Sequence, residues 1–465
     1  MGFRRRPAAP VSGSILEVFR IALPLILSNS CHAVNMFVDR LMLARQSREA
    51  VAAAFTGGLT NFTIACIFIG TIGYTGTFVA QYEGARRRDR IGSAVWSGIW
   101  LALLGSLLLG TGVFWAGPLF AIFRHEPAVA QQEVIYFSVL CKGACAFLLN
   151  NALSCFWTGR GKTSLVLAVS VIITLFNLPL NYIMIFGRCG CPALGAEGAA
   201  WATMLAAAIG TIIYFIAFFS PSAEKHFRTR HPVFDFQLIR RMIRFGLPAG
   251  LHLAIDLISF NTFSLLMGSY GVAVHEASSI TFGINNIGFC PVMGIGMTAA
   301  ILVGQAIGAE NIALARKSVR NCVVIVELYS LAMVVLYVFC QPLLLGPFTR
   351  PGDPEQAEAL RLAGQMLYFI SIYLIFDGFN LTFSNALRGA GDTRFPMWVM
   401  STVGLLGFAL PCLALFLCNQ PWWTLWIAFE AEIMILCVIF TWRYRQGKWT
   451  KMRVIEVAAH RDENV

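Results

Sequence analysis

Twelve apolar segments, each long enough to cross a lipid bilayer, constrain this 465-residue chain more than any other feature. They run over residues 15–43, 53–80, 93–122, 134–158, 164–187, 196–220, 244–269, 279–304, 318–345, 364–388, 396–418 and 421–442. About 20 residues of helix span a hydrocarbon core, and such a helix satisfies its own backbone hydrogen bonds. Composition leaves no room for a soluble domain beside them. The chain is 57% hydrophobic and 13% charged, where soluble domains carry about 25% charged residues. The expected fold class is all-α, a polytopic membrane protein of twelve transmembrane helices. Pro24, Pro179, Pro248 and Pro291 fall inside spans and predict kinks whose freed carbonyls need partners on other helices.

The positive charges test that count. With both ends on the inner side, 27 of the 35 Lys and Arg residues fall in inner segments. Seven fall in outer ones (Arg40, Arg45, Arg48, Arg124, Arg188, Arg350 and Arg361), and Lys142 lies within a span. One helix more or fewer would flip every later loop and erase the asymmetry. Both termini are therefore expected in the cytoplasm, and a bacterial inner membrane is the expected location. The opening M-G-F-R-R-R-P-A-A-P resembles the start of a signal peptide, but the apolar run behind it continues to Leu43 without a compelling cleavage site, so it reads as a retained first helix. The net charge of +11 does not indicate nucleic acid, because no polar domain exists to carry a basic face. The 13 cysteines lie mostly in apolar spans as small hydrophobes. Cys189 and Cys191 form one loop pair, too closely spaced for an easy bridge and too few for a metal site.

The chain repeats itself. R-I-A-L-P-L-I-L at 20–27 returns as R-F-G-L-P-A-G-L at 244–251, and V-A-Q-Y-E-G-A at 79–85 as V-G-Q-A-I-G-A at 303–309, both at an offset of 224 residues. G-R-G-K-T at 159–163 echoes G-A-G-D-T at 389–393. Six spans return a chain to its starting side, so the halves are expected to be parallel repeats with a binding site between them. The expected organisation is a six-helix lobe over 1–220, a cytoplasmic linker over 221–243, a second six-helix lobe over 244–442 and a basic cytoplasmic tail over 443–465.

Two motifs invite enzymatic readings and fail. Gly161-Lys162-Thr163 lacks the glycine five residues upstream that a phosphate-binding loop requires; Phe156 stands there. Transport would thus draw on an ion gradient rather than ATP. Gly389-Ala390-Gly391-Asp392 matches the G-x-G-D string of intramembrane aspartyl proteases, which need two carboxylates sharing a proton. Asp392, however, sits between Arg388 and Arg394 at the inner edge, where we expect it solvated and paired.

The acids stranded within spans carry the functional argument. Asp377 lies near the middle of an apolar run over 367–394. A mid-membrane Asp costs about 2.5–3.5 kcal/mol on insertion scales, which a merely structural span does not require. Tyr373, four residues earlier, and Asn380, three later, share its helix face. Asp39, Lys142, Asp256, Glu327, Glu430 and Glu432 are the other in-span charges, with His32 and His252. His252 and Asp256 are four apart on one face. Asp39 adjoins Arg40, so an edge ion pair is its plain structural reading. Glu430 and Glu432, two apart, are expected to place at most one side chain in a cavity, and no role is assigned to Lys142 or Glu327. In-span amides, Asn177 and Asn181 among them, and 37 Phe describe a cavity both polar and aromatic, suited to an organic cation.

These residues resemble the multidrug and toxic compound extrusion (MATE) transporters over nearly the whole chain. The marks are the Leu-Pro in each half's first helix, V-x-Q-x-x-G-A ending each second helix, and L-R-G-A-G-D-T-R-F-P at 387–396. The NorM-type branch is the most similar. It has an Asp late in helix 1 (here Asp39), an acid in helix 7 (commonly Glu, here Asp256), a helix 10 Asp preceded by Tyr (here Asp377 and Tyr373), and a P-L-N-Y, here at 179–182. The DinF-type branch has a second acid in helix 5, where this chain has Asn181. The resemblance implies a V-shaped pair of lobes alternating between inward- and outward-facing states. Sodium or protons would enter as cationic or amphiphilic compounds leave.

The expected function is multidrug efflux by cation-coupled antiport, not an enzyme activity. Asp377, Asp256, Tyr373 and Asp39 are the candidate cation-coupling residues, with Na+ possible at Asp377 and Asp256. Asp39, Asn177, Asn181 and His252 are candidates for substrate binding. Desolvated carboxyls can hold a proton near neutrality or, in pairs, sodium, and both ions stay open. No cofactor is expected beyond that ion. The expected partners are small cationic drugs or metabolites and the bilayer, with no nucleic acid, and the expected state is a monomer. A flippase for a lipid-linked precursor is the alternative, although its pyrophosphate would call for basic residues where the deep charges here are mostly acidic.

Overall fold

The computed structural model describes residues 12–122, 126–349 and 354–456. Residues 1–11, with Arg4, Arg5 and Arg6, and also Arg124, Arg350 and Arg461 of the charge count, lie outside the described residues. Among the described residues, twelve helices are long and apolar enough to cross a membrane: α1 Ile15–Ala44, α2 Glu49–Gly84, α3 Asp89–Gly110, α4 Pro127–Thr158, α5 Thr163–Phe186, α6 Ala196–Phe218, α7 Phe236–Gly268, α8 Val272–Gly308, α9 Ile312–Phe339, α10 Gln356–Ala390, α11 Arg394–Leu417 and α12 Trp422–Arg445. The protein is an all-α, multi-pass membrane protein.

Local sequence sets where helices begin and bend. Asp235 caps α7 by accepting from Leu238 N at 3.0 Å, so α7 starts well before the apolar run at 244. Asn311 caps α9 in the same way through Leu314 N at 2.9 Å. The apolar run 93–122 divides into α3 and a short helix, Gly112–Ala121. Within α11, Ser401–Ala409 widens into π-helical turns just ahead of Pro411, whose ring has no N–H to give the carbonyl four residues back.

Helices α1–α6 pack as one lobe and α7–α12 as the other. The lobes meet in a two-fold pattern, with α1 against α8 and α2 against α7. Backbones touch where α2 crosses α7. A methyl on Gly70 would lie 2.8 Å from Gly250 N, a distance only glycine permits. At the basic end of the bundle the two V-x-Q-x-x-G-A motifs interlock. Gly84 packs on the carbonyl of Gln305, and Gly308 on the carbonyl of Gln81. Gln81 Nε2 donates to Gly389 O at 3.1 Å, while Gln305 Nε2 donates to Gly159 O at 2.8 Å. Each repeated glutamine thus holds the repeated glycine turn of the opposite lobe.

Candidate functional site

Helical spacing alone builds the centre of the site. On α10, Tyr373 Oη donates to Asp377 Oδ2 at 3.2 Å and Asn380 Nδ2 donates to Oδ1 at 2.9 Å. The Tyr373 ring stacks on Phe429 of α12, 5.0 Å away and 11° from parallel, which fixes the phenol's aim. Asp377 is buried, and both donors are neutral. A carboxylate so placed lacks a counter-charge. It must hold a proton or accept a cation, since an unpaired buried charge costs far more than its two hydrogen bonds return.

More acids surround it than the spacing suggests. Glu430 and Glu432 are both buried, and Glu327 and Glu430 lie within electrostatic range of Asp377. Glu432 lies within range of both Asp256 and Asp377. Both carboxyl oxygens of Glu430, and Oε1 of Glu327 and of Glu432, are buried without a hydrogen-bond partner among the described residues. Although two apart, Glu430 and Glu432 are thus both turned away from lipid. Helix α12 is flanked by α10 on one side and by α7 and α11 on another, so opposite faces of it are interior. Glu327 is beside Gly378 on α10, whereas Lys142 is exposed on α4. Mid-span acid identity was the signal for these three residues, and spacing spoke only to Glu430 and Glu432.

Asp256 differs from its neighbours. It is exposed, forms no ion pair among the described residues, and lies within electrostatic range of Arg388 on α10 and Cys66 on α2 of the first lobe. It therefore opens onto the space between lobes, one step from Asp377, with which it also interacts. Arg388 is half-buried and turned toward this space, while its carbonyl accepts from Tyr74 Oη at 2.8 Å. Asp392 is accordingly not solvated between Arg388 and Arg394. It is buried and paired with Arg443 Nε at 2.8 Å, which leaves Arg388 free for the interior.

In the first lobe Asp39 joins a separate polar network. Asn181 Nδ2 donates to Asp39 Oδ1 and to Asn177 Oδ1, the latter at 2.9 Å, and Thr203 Oγ1 approaches Oδ2 at 3.5 Å. Arg40 lies over the Phe55 ring instead of pairing with Asp39. Asp39, Asn177 and Asn181 are thus brought together, while His252 is not with them. Its Nδ1 is buried without a hydrogen-bond partner among the described residues, within range of Arg388. Among the described residues no three Asp, Glu, His or Cys side chains gather as ligands for a metal ion.

Two parallel six-helix repeats around deep carboxylates, without an ion pair at Asp377 among the described residues, mark out a membrane-embedded transporter. The MatE family model matches residues 24–183 and 248–413, one match in each lobe, and the chain belongs to that family. It is 25% identical over 422 residues to the multidrug resistance protein PmpM of Pseudomonas aeruginosa, covering 87% of this chain and 86% of that one. It is 28% identical over 407 residues to a probable multidrug resistance protein NorM of Mesorhizobium japonicum, covering 85% and 86%. In structure it is similar to a MOP superfamily transporter from Pyrococcus furiosus, with TM-score 0.84, 18% identity, and 94% and 97% of the two chains covered.

Proposed function

We propose that this protein exports cationic or amphiphilic small molecules across the cell membrane in exchange for a proton or sodium ion. The observation that carries this reading is Asp377, buried, held by two neutral donors and facing further acids, with no basic side chain paired to it among the described residues. Such a group binds a positive ion whenever one is admitted and releases it when the environment changes. Asp256, open to the space between lobes, is the entry to it. Asp39, held by Asn181 in the other lobe, meets the substrate. The relatives' names, multidrug resistance proteins, support efflux of drugs. The acidity of the interior supports a positive cargo over a lipid pyrophosphate.

With both termini on the cytoplasmic side, the interlocked Gln81 and Gln305 motifs close the cytoplasmic end, so the fold is read in its outward-facing state. Alternating access then requires those contacts to part. The test is efflux of a cationic dye from everted vesicles under an imposed sodium or proton gradient. Drug movement driven by neither gradient, or unchanged coupled efflux in Asp377→Asn, overturns the proposal.

A further inference from the structure

The chain does not leave the bundle after α12. It turns at Gly447, and Trp449, buried and stacked on Tyr444 at 5.1 Å, anchors the turn by donating Nε1–H to Tyr444 O at 2.9 Å. Residues 452–456 then cross from the second lobe onto the first. Val454 and Ile455 are buried between Tyr82 and Ile91 of the first lobe and Leu238 and Met242 at the start of α7. Beyond them Glu456 enters a pocket built on three helix ends. Its Oε2 accepts from Tyr82 Oη at 2.8 Å and lies 3.5 Å from Arg87 Nη1, which also donates to the Glu456 carbonyl at 3.2 Å. Its Oε1 accepts from Arg90 Nη2 at 3.0 Å and from Arg241 Nη2 at 2.7 Å.

One residue joins this strap to the gate. Gln81 spends its amide N–H on Gly389 O and Ala390 O of the second lobe, while its Oε1 accepts from Val454 N at 3.0 Å. The orientation of Gln81 is therefore set from both sides, and the strap lies over the seam it closes. Among the described residues, the side chain of the symmetry-related Gln305 bonds only to Gly159 O. The strap is an asymmetric addition to an otherwise two-fold closure.

We propose that residues 452–456 form a latch that holds the basic end of the transporter shut, with Glu456 seated in the Tyr82, Arg87, Arg90 and Arg241 pocket and Gln81 coupling it to the gate. The assignment of the latched form to the outward-facing state rests on the efflux reading above; the coupling of strap to gate does not. Opening that end separates Gln81 from Gly389 and carries α7 and α12, with the strap and Arg241, away from Tyr82, Arg87 and Arg90 of the first lobe. Release of Glu456 is then part of each turnover. Charge-assisted hydrogen bonds are stronger than neutral ones, so the latch biases the closed form.

The test is amide hydrogen exchange by mass spectrometry on the full chain in lipid nanodiscs, comparing wild type with Glu456→Gln and Arg90→Gln. Exchange is expected to rise about tenfold in the strap and also at residues 81–85, 305–309 and 389–391, as charge-assisted bonds of this kind lapse. Wild type moved to about 1 M salt, where screening reaches about 3 Å, should show the same pattern without any substitution. Faster exchange confined to the strap, with the three gate segments unchanged in both variants, overturns the latch. Loss of ion-driven efflux in wild type would sink the antiport reading but leave this exchange pattern standing, so the two failures are distinguishable.

Discussion

The side-chain amide of Gln305 donates to the backbone carbonyl of Gly159 across the lobe boundary, 2.8 Å away, and Gln81 repeats that bond on Gly389. Two identical contacts related by the internal repeat close one end of the molecule. A typical hydrogen bond contributes about 0.5–1.5 kcal/mol net. Gln81→Ala and Gln305→Ala should each shift the balance toward the form open at this end by several-fold, and the double variant by roughly the product. Distances between spin labels on the two lobes, measured by pulsed resonance, report the populations. No shift in either variant would show that the gate is held elsewhere.

Asp377→Asn removes the charge and keeps the shape. Coupled efflux in everted vesicles should fall by more than about tenfold while expression and thermal stability hold, because no ion pair is broken. Tyr373→Phe deletes one neutral donor and keeps the stack on Phe429. It should slow efflux several-fold and alter its ion dependence without abolishing it. The same assay reads both.

Asn181→Ala would strip Asp39 of its main donor and leave Asn177 Oδ1 without its own. The expected outcome is a several-fold rise in the apparent KM for drug with ion coupling preserved, measured by concentration-dependent dye efflux. Equal losses in coupling and in KM would place Asp39 with the second-lobe acids instead.

Gly250→Val forces a branched side chain into the backbone of α2 around Ile67 and Gly70. Overpacking of this kind costs about 1–3 kcal/mol, occasionally more. The variant should show a lowered Tm in detergent and reduced efflux, whereas a substitution at Gly117, which has nothing within 4 Å, should leave both unchanged.

Glu456 gives a pH dependence whose sign is fixed by its setting. Burial alone would raise its carboxyl, but the hydrogen bonds from Arg241 and Tyr82 and the Arg241 charge hold it down at about 2. A depressed carboxyl stabilises the strap fully above its ordinary value of about 4.5 and loses that contribution as pH falls toward 2. Fluorescence of a protein retaining only Trp449 should stay constant from neutral pH to about pH 5 and change below it. A transition near neutrality would mean that Glu456 is not held by the arginines.

How much the chain discloses depends on how local each feature is. Helical spans, their number, the caps at Asp235 and Asn311, and the grouping of Tyr373, Asp377 and Asn380 follow from spacing along one helix. Apolar length and the 3.6-residue period are properties of the segment itself. The internal repeat likewise announced two matched lobes, and the family match in each half agrees with it. Which face of a helix meets lipid and which meets a neighbour is not local. Glu430 and Glu432 both turned inward because α12 is enclosed on opposite faces, and Asp392 found Arg443, 51 positions away, rather than the arginines beside it. The strap over Gln81 belongs to the same class. Its residues read as a basic tail, and only the arrangement of three helix ends around Glu456 turned a charged segment into a contact between lobes. Sequence determines what a segment can bury, whereas tertiary packing decides against what it is buried, because the energy of a buried charge depends on neighbours that the chain brings together only when folded.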